Sequence, residues 1–214
     1  METQNTLLII TAASIGFLHT LLGPDHYIPF IAMARAGKWS RYKTIWITVL
    51  SGAGHVLSSV VLGIVGALAG ITLSKLDFIE AFRADIAAWL IISFGLIYFA
   101  WGIKKIYRHS HEHEHHHDKE GKTTPWIIFT IFVLGPCEPL IPLLIYPAVM
   151  ESLTTLVLVV LVFTLTTIST MVLLVSAVLY SINIIPFHKT EKYSHAAAGF
   201  LILLCGLSIK FLGL

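Results

Sequence analysis

Long apolar runs separated by short polar stretches dominate the hydrophobic pattern of this 214-residue chain. Each run is long enough to cross roughly 30 Å of hydrocarbon as a helix. Because a bilayer offers no water to the backbone, such spans are expected to be α-helical. The pattern therefore predicts an all-α integral membrane protein with six transmembrane helices: Thr6–Ala34, Thr44–Leu73, Ile86–Ile103, Trp126–Met150, Leu153–Ile185 and Ala196–Leu212.

Two of these segments contain glycine and proline well inside the apolar run. The first segment holds Leu22-Gly23-Pro24-Asp25-His26, and the fourth holds Leu134-Gly135-Pro136-Cys137-Glu138. Proline removes a backbone donor and clashes with the preceding turn, so both helices are expected to kink or unwind at these points. The shared Leu-Gly-Pro opening, at the same place in each half of the chain, predicts an internal repeat.

The repeat divides the chain into two three-helix halves, residues 1–104 and 125–214, joined by a polar loop at 105–124. The first segment enters the membrane from one side and the fourth from the other, so the repeat has inverted topology, three helices plus three. Paired Gly/Pro-interrupted segments in the halves of such a repeat indicate the binding site of a transporter. Chance similarity is the alternative, since glycine and proline are common in membrane helices.

Charge sets the expected orientation. Of the 14 Lys and Arg residues, 11 lie in the first, third and fifth loops, and only Lys75, Arg83 and Lys210 lie on the other side. Cytoplasmic loops collect basic residues. We therefore expect a multi-pass protein of a prokaryotic cytoplasmic (inner) membrane with both termini outside. The first apolar run lacks a preceding basic stretch and is expected to be retained rather than cleaved as a signal peptide.

Ionisable side chains at membrane depth are costly and indicate function. Imidazole, carboxylate and thiolate groups together suit nickel, cobalt, zinc or iron, whereas calcium and magnesium prefer oxygen ligands. A buried polar network that pins helices together, with the cysteine as a small apolar filler, is the alternative. The predicted metal site comprises His19, Asp25, His26, His55, Cys137 and Glu138.

The third loop contains a short tract dense in histidine. Tracts of this kind are typical of metal binding, and this one is too polar for a core. We expect a cytoplasmic collector of metal ions rather than a fixed site. Its predicted ligands are His109, His111, His113, His115, His116 and His117.

The sequence from His19 to His26, together with Gly54-His55 and the histidine-rich loop, resembles the nickel/cobalt transporter superfamily. Its NicO and urease-accessory (UreH-like) branches, and relatives described as sulfite-exporter-like, are the most similar. The resemblance implies that a histidine followed by an Asp-His pair on an early helix contacts the metal. In this chain the interval from His19 to Asp25 is one residue longer than in that motif.

The second break, Gly135 to Pro142, is similar to the Pro-Cys-x-x-Pro core of the membrane domain that carries reducing equivalents for cytochrome-c biogenesis. That family also implies a six-helix inverted repeat. Its thiol–disulfide chemistry needs two cysteines, one in each half. Here Asp25 stands at the matching place in the first half, and Cys205 lies on the last helix.

The sequence favours a membrane transporter, not an enzyme, with a nickel- or cobalt-like divalent ion as substrate and no permanently bound cofactor. One alternative is a membrane thiol–disulfide electron carrier that uses Cys137 and Cys205. The other is an exporter of a small anion such as sulfite, which is disfavoured because no Lys or Arg is expected deep in any span. The expected partners are the lipid bilayer and a metal ion, with a homo-oligomer possible and no nucleic acid.

Overall fold

A computed structural model describes residues 2–68, 73–108, 124–135, 137, 139–149, 153–184 and 193–212. All regular structure in these ranges is helical. A short 3-10 helix, Pro24–His26, joins the first two α-helices. The α-helices are α1 (Glu2–Leu22), α2 (Ile28–Ala36), α3 (Arg41–Leu68), α4 (Leu73–Arg108), α5 (Thr124–Leu134), α6 (Leu140–Val149), α7 (Leu153–Ile184) and α8 (Ser194–Leu212).

Five helices in the described ranges, α1, α3, α4, α7 and α8, are long and apolar enough to cross a membrane. Large apolar side chains such as Leu57, Leu165 and Leu173 are exposed on their outer surfaces, as expected where lipid is the solvent. The protein is therefore a multi-pass membrane protein. The fourth predicted segment is instead divided between two short helices, α5 and α6.

Both predicted helix breaks are confirmed. The amide of Gly23 donates to the carbonyl of His19 (2.9 Å) and closes the last turn of α1. The chain then makes a single 3-10 turn before α2 begins at Ile28. In the second half α5 ends at Leu134 and α6 starts at Leu140. The proline at position 24 has no amide to continue α1, which explains the first break.

The predicted third segment is too short, because α4 begins at Leu73 rather than near Ile86. Glu80 is buried inside this helix, and its carboxylate pairs with Arg83 at 2.8 Å. The two opposite charges lie one helical turn apart and neutralise each other. The helix can therefore include residues 74–85, which the sequence pattern had placed in a polar loop. Arg83 thus lies within a helix that is long and apolar enough to cross a membrane, whereas the predicted third segment began after it.

Glycines bring α4 and α8 into direct backbone contact. A Cβ atom at Gly95, Gly102 or Gly199 would lie closer than 3 Å to backbone atoms of the partner helix. Small residues permit such close approach between membrane helices. Elsewhere in the fold, α3 packs against α5, α6 and α7.

Candidate metal centre

The predicted polar residues of the first half line a cavity of about 420 Å³. Its walls come from α1, the 3-10 helix, α3, α4, α5 and α8. Four of its lining residues are titratable, namely His19, Asp25, His26 and His55, and apolar side chains and glycines make up the rest. The break after α1 thus places its Asp-His pair at a cavity between the helices.

Three imidazoles of this cavity form a compact group. Each of His19, His26 and His55 offers a ligand atom, and these atoms all lie within 4.8 Å of one another. The ring of His26 meets the other two edge-on, with centroid separations of 4.7 Å to His19 and 5.2 Å to His55. His26 and His55 are both only 1% exposed, whereas His19 is partly buried.

Neighbouring acceptors fix the tautomer of two of these rings. His26 Nδ1 lies 2.9 Å from Asp25 Oδ1 and 3.2 Å from the carbonyl oxygen of Gly23. His55 Nδ1 lies 3.1 Å from the carbonyl oxygen of Phe132. A carbonyl or carboxylate oxygen only accepts, so Nδ1 carries the proton and donates in both rings. A neutral imidazole then presents its lone pair at Nε2.

All three Nε2 atoms are buried without a hydrogen-bond partner in the described part of the chain. A buried polar atom left unpaired costs about 1–3 kcal/mol. One ring nitrogen from each histidine can be chosen so that the three atoms lie mutually within 4.8 Å, and such atoms lie at most about 2.8 Å from a common point, against a zinc–nitrogen bond of about 2.0–2.1 Å. Small inward rotations of the rings would therefore close the group around one metal ion.

Gly23 provides the space that this arrangement needs. A Cβ atom there would lie 2.6 Å from His26 Nδ1 and 2.8 Å from Asp25 Oδ1. Any side chain at position 23 would push the Asp25–His26 pair out of place. Glycine is thus required at position 23 because the side chains of Asp25 and His26 lie directly against its backbone. Its φ of −84° is one that any residue can adopt, so backbone conformation does not explain the glycine.

Of the other predicted site residues that the structure describes, Asp25 lines the same cavity and Cys137 does not. Asp25 bonds to His26 and orients it, a supporting role typical of carboxylates beside metal-binding histidines. Cys137 is fully buried in an apolar cluster with Val56, Leu140 and Phe163 and does not line the cavity. Glu138 and the loop histidines, His109, His111, His113, His115, His116 and His117, lie outside the described residues.

Sequence reasoning missed two contributors to this region. Phe132 fixes His55 through its backbone carbonyl and packs its ring 4.8 Å from the imidazole. A main-chain role of this kind leaves no sequence signal. Arg83 reaches the carbonyl oxygens of Val133 and Gly135 from α4. Its pairing with Glu80 three residues earlier is a signal that α4 continues through this stretch.

No curated protein and no solved structure matches the chain. One family model does, described as cytochrome C biogenesis protein transmembrane region, and it matches residues 28–208. The predicted resemblance to the cytochrome-c-biogenesis membrane domain is thereby confirmed, whereas the resemblance to nickel/cobalt transporters stays a prediction. Since the match covers most of the 214 residues, the chain belongs to the cytochrome C biogenesis protein transmembrane region family.

Proposed function

We propose that this protein binds a divalent transition-metal ion at His19, His26 and His55 and carries it across the membrane. The observation that carries this proposal is the group of three buried, unpartnered Nε2 atoms at one cavity. Three imidazoles leave further coordination positions open on a metal ion. An ion held in this way can exchange ligands and leave, as a transported substrate must.

The chemistry of the donors limits the substrate. Neutral imidazole nitrogens suit zinc, copper, nickel and iron, whereas calcium and magnesium require a shell of oxygen atoms. Asp25 is held by His26, so it supplies charge beside the site. A nickel- or cobalt-like ion is the proposed cargo, with zinc and iron as chemically similar competitors. The histidine-rich loop is proposed to collect the same ions.

A buried polar face on α3 supports a path to the site. Its hydroxyl and imidazole side chains recur every three or four residues and therefore share one side of the helix. Two of the hydroxyls bond to their own helix carbonyls, but Ser51 Oγ is buried without a hydrogen-bond partner in the described ranges. The buried residues of this face are Thr44, Thr48, Ser51, His55 and Ser59.

Transport by purified protein in liposomes tests the proposal. Vesicles loaded with a metal-sensitive dye should respond to external Co²⁺, Ni²⁺ or Zn²⁺ when they contain the wild-type protein. His26→Ala should abolish the response, while His195→Ala should preserve it, because His195 bonds to Tyr98 outside the cavity. Equal metal flux through wild-type and His26→Ala protein would reject the proposal.

A membrane thiol–disulfide electron carrier is the second candidate, and the family match favours it. Cys137 follows the second break, as the cysteine of that chemistry does, and both Cys137 and Cys205 are thiols in the structure. Cys137 packs among residues of α1, α3, α6 and α7. Cys205 lies on α8, whose main contacts are with α4 and α2. A disulfide between them would require these helix groups to rearrange.

The two candidates differ in their response to cysteine replacement. An electron carrier that uses both thiols should lose function equally in Cys137→Ser and Cys205→Ser, and a Cys137–Cys205 disulfide should form reversibly under mild oxidation. A metal carrier built on three histidines should tolerate Cys205→Ser. Reversible trapping of that disulfide, with loss of function in both variants, would establish the second candidate.

Export of a small anion is less well supported. The one guanidinium in this region of the described chain, that of Arg83, already donates to Glu80, Ser58 and two backbone carbonyls. It is not among the residues that line the cavity. The polar groups of the cavity are imidazoles and one carboxylate, which suit a cation.

We also propose the three-plus-three inverted repeat and the orientation with both termini outside. The helix pairing supports the repeat: α1 packs on α7 just as α5 packs on α3, and α2 contacts α8 just as α6 contacts α4. Exchanging the halves converts each of these four contacts into its counterpart. A cysteine placed at position 110 should resist impermeant labelling reagents applied to intact cells if the third loop is cytoplasmic.

A further inference from the structure

The C-terminal end of α5 is held by groups from other helices as well as by its own backbone. The last carbonyls of any helix lack partners within it, and a bilayer supplies no water to replace them. Here the amide of Gly135 donates to Ile131 and Phe132 (3.0 and 3.1 Å). The carbonyl of Phe132 also accepts from His55, and the carbonyl of Val133 accepts from Arg83.

Arg83 is the largest contributor to this arrangement. Its Nη2 donates to Ser58 Oγ at 2.8 Å and lies 3.3 Å and 3.4 Å from the carbonyl oxygens of Val133 and Gly135. Its Nη1 donates to Glu80 Oε1 at 2.8 Å. The planar guanidinium presents several donors in a fixed fork, and a lysine ammonium does not reproduce that geometry.

The segment that Arg83 holds contains Phe132, Gly135 and Cys137, and each of these residues has a defined place in the structure. Phe132 provides the carbonyl that fixes His55. Gly135 lines the cavity. Cys137 lies two residues after Gly135, and its amide donates to Ser59 Oγ at 3.1 Å. The second break is therefore attached to α3 at two adjacent serines. Arg83 bridges it to Ser58, and the amide of Cys137 bonds directly to Ser59.

We infer that Arg83 is a positioning residue that clamps the end of α5 to α3 and α4, and thereby fixes His55 for metal binding and keeps the Cys137 segment closed. Its effect on metal affinity rests on the proposed function. Its effect on Cys137 does not, because that effect follows from the hydrogen bonds at the break alone.

A merely structural ion pair would behave differently from a clamp. In that case Arg83→Lys, which keeps the positive charge beside Glu80, should preserve all properties of the site. A clamp needs the fork that reaches Ser58, Val133 and Gly135 together, so Arg83→Lys should loosen the break while the protein stays folded.

The test uses the full chain with Cys205→Ser, purified in detergent and carrying Arg83→Lys or Arg83→Gln. Lys210→Gln is the control, because Lys210 on α8 pairs with Asp85 on α4, the helix that carries Arg83, and does not line the cavity. Two quantities are measured: the rate at which a small maleimide alkylates Cys137, and the dissociation constant for Co²⁺. Size-exclusion profiles and thermal unfolding report whether each variant is folded.

Both Arg83 variants should raise the alkylation rate at least about tenfold through local opening of the break. They should also weaken Co²⁺ binding about 10- to 100-fold, as expected for a supporting residue of a metal site. Lys210→Gln should change neither. Faster alkylation with no Co²⁺ binding even by the parent protein would support the clamp and reject the metal site. Unchanged alkylation in a folded Arg83→Gln protein, or failure of both variants to fold, would overturn the clamp.

Discussion

His55 on α3 donates its Nδ1 proton to the backbone carbonyl of Phe132 on α5, 77 positions along the chain, at 3.1 Å. This bond joins a helix of the first half to the broken helix of the second half, directly at the cavity. It leaves Nε2 of His55 as the nitrogen with a free lone pair, in a ring whose centroid lies 5.2 Å from that of His26. A single hydrogen bond therefore connects the helix that ends at the second break with the group of histidines beside the first break.

Replacing any one of the three histidines by alanine should weaken metal binding by more than about 100-fold, since loss of a ligand exceeds the effect of losing a supporting residue. Isothermal titration of the purified variants with Ni²⁺ or Co²⁺ measures this. His195→Ala serves as the matched control, because that imidazole bonds to Tyr98 instead of lining the cavity. Wild-type affinity in all three single variants would exclude the site.

Asp25→Asn should weaken metal binding about 10- to 100-fold without unfolding the protein, because it removes the charged acceptor that orients His26. The asparagine oxygen can still accept a hydrogen bond, so the effect should be smaller than that of His26→Ala. Asp85→Asn, which alters a carboxylate paired with Lys210 instead, should leave affinity unchanged. An effect of Asp25→Asn as large as that of His26→Ala would show that Asp25 is itself a ligand.

Gly23→Ala should disrupt the metal site, because the added methyl group would overlap His26 Nδ1 and Asp25 Oδ1. Gly63→Ala is the control, since a Cβ there meets only the end of the Leu144 side chain at 3.2 Å. Metal titration of both variants should show loss in the first and wild-type binding in the second. Normal binding by Gly23→Ala would mean that the Asp25–His26 pair adopts another arrangement.

Gly199→Ala should lower the free energy of unfolding by about 1–3 kcal/mol or more, because overpacked contacts force the backbone to shift. The methyl group would meet the backbone of Phe99 on α4. Reversible unfolding in mixed micelles measures the change, again with Gly63→Ala as the reference. Equal stability of the two variants would show that α4 and α8 can separate at little cost.

The sequence predicted most of the helices and both breaks, because apolar runs and internal prolines act locally. It also singled out His19, His26 and His55, because ionisable groups at membrane depth are costly, and the structure brings these three residues to one cavity. It misplaced the start of α4, because the mutual neutralisation of Glu80 and Arg83 depends on their folded geometry. It grouped Cys137 with the histidines on adjacency to the second break, whereas packing directs that side chain into an apolar cluster.

The supporting contacts of the site were beyond sequence reasoning for a physical reason. A backbone carbonyl such as that of Phe132 belongs to every residue alike, so only the fold decides which one faces an imidazole. The contact in which Asp25 orients the imidazole of His26 likewise depends on the turn formed at Gly23 and Pro24. Sequence indicates which groups are available, and packing decides which of them share a cavity.

X-ray absorption spectroscopy of the purified protein loaded with one equivalent of Zn²⁺ can identify the metal ligands directly. We expect three imidazole nitrogens at about 2.0–2.1 Å from the metal, completed by a light atom, and no sulfur neighbour. His26→Ala should lose this spectrum, while Cys137→Ser should keep it. A sulfur shell at about 2.3 Å that disappears in Cys137→Ser, or failure to retain stoichiometric zinc, would contradict the three-histidine site.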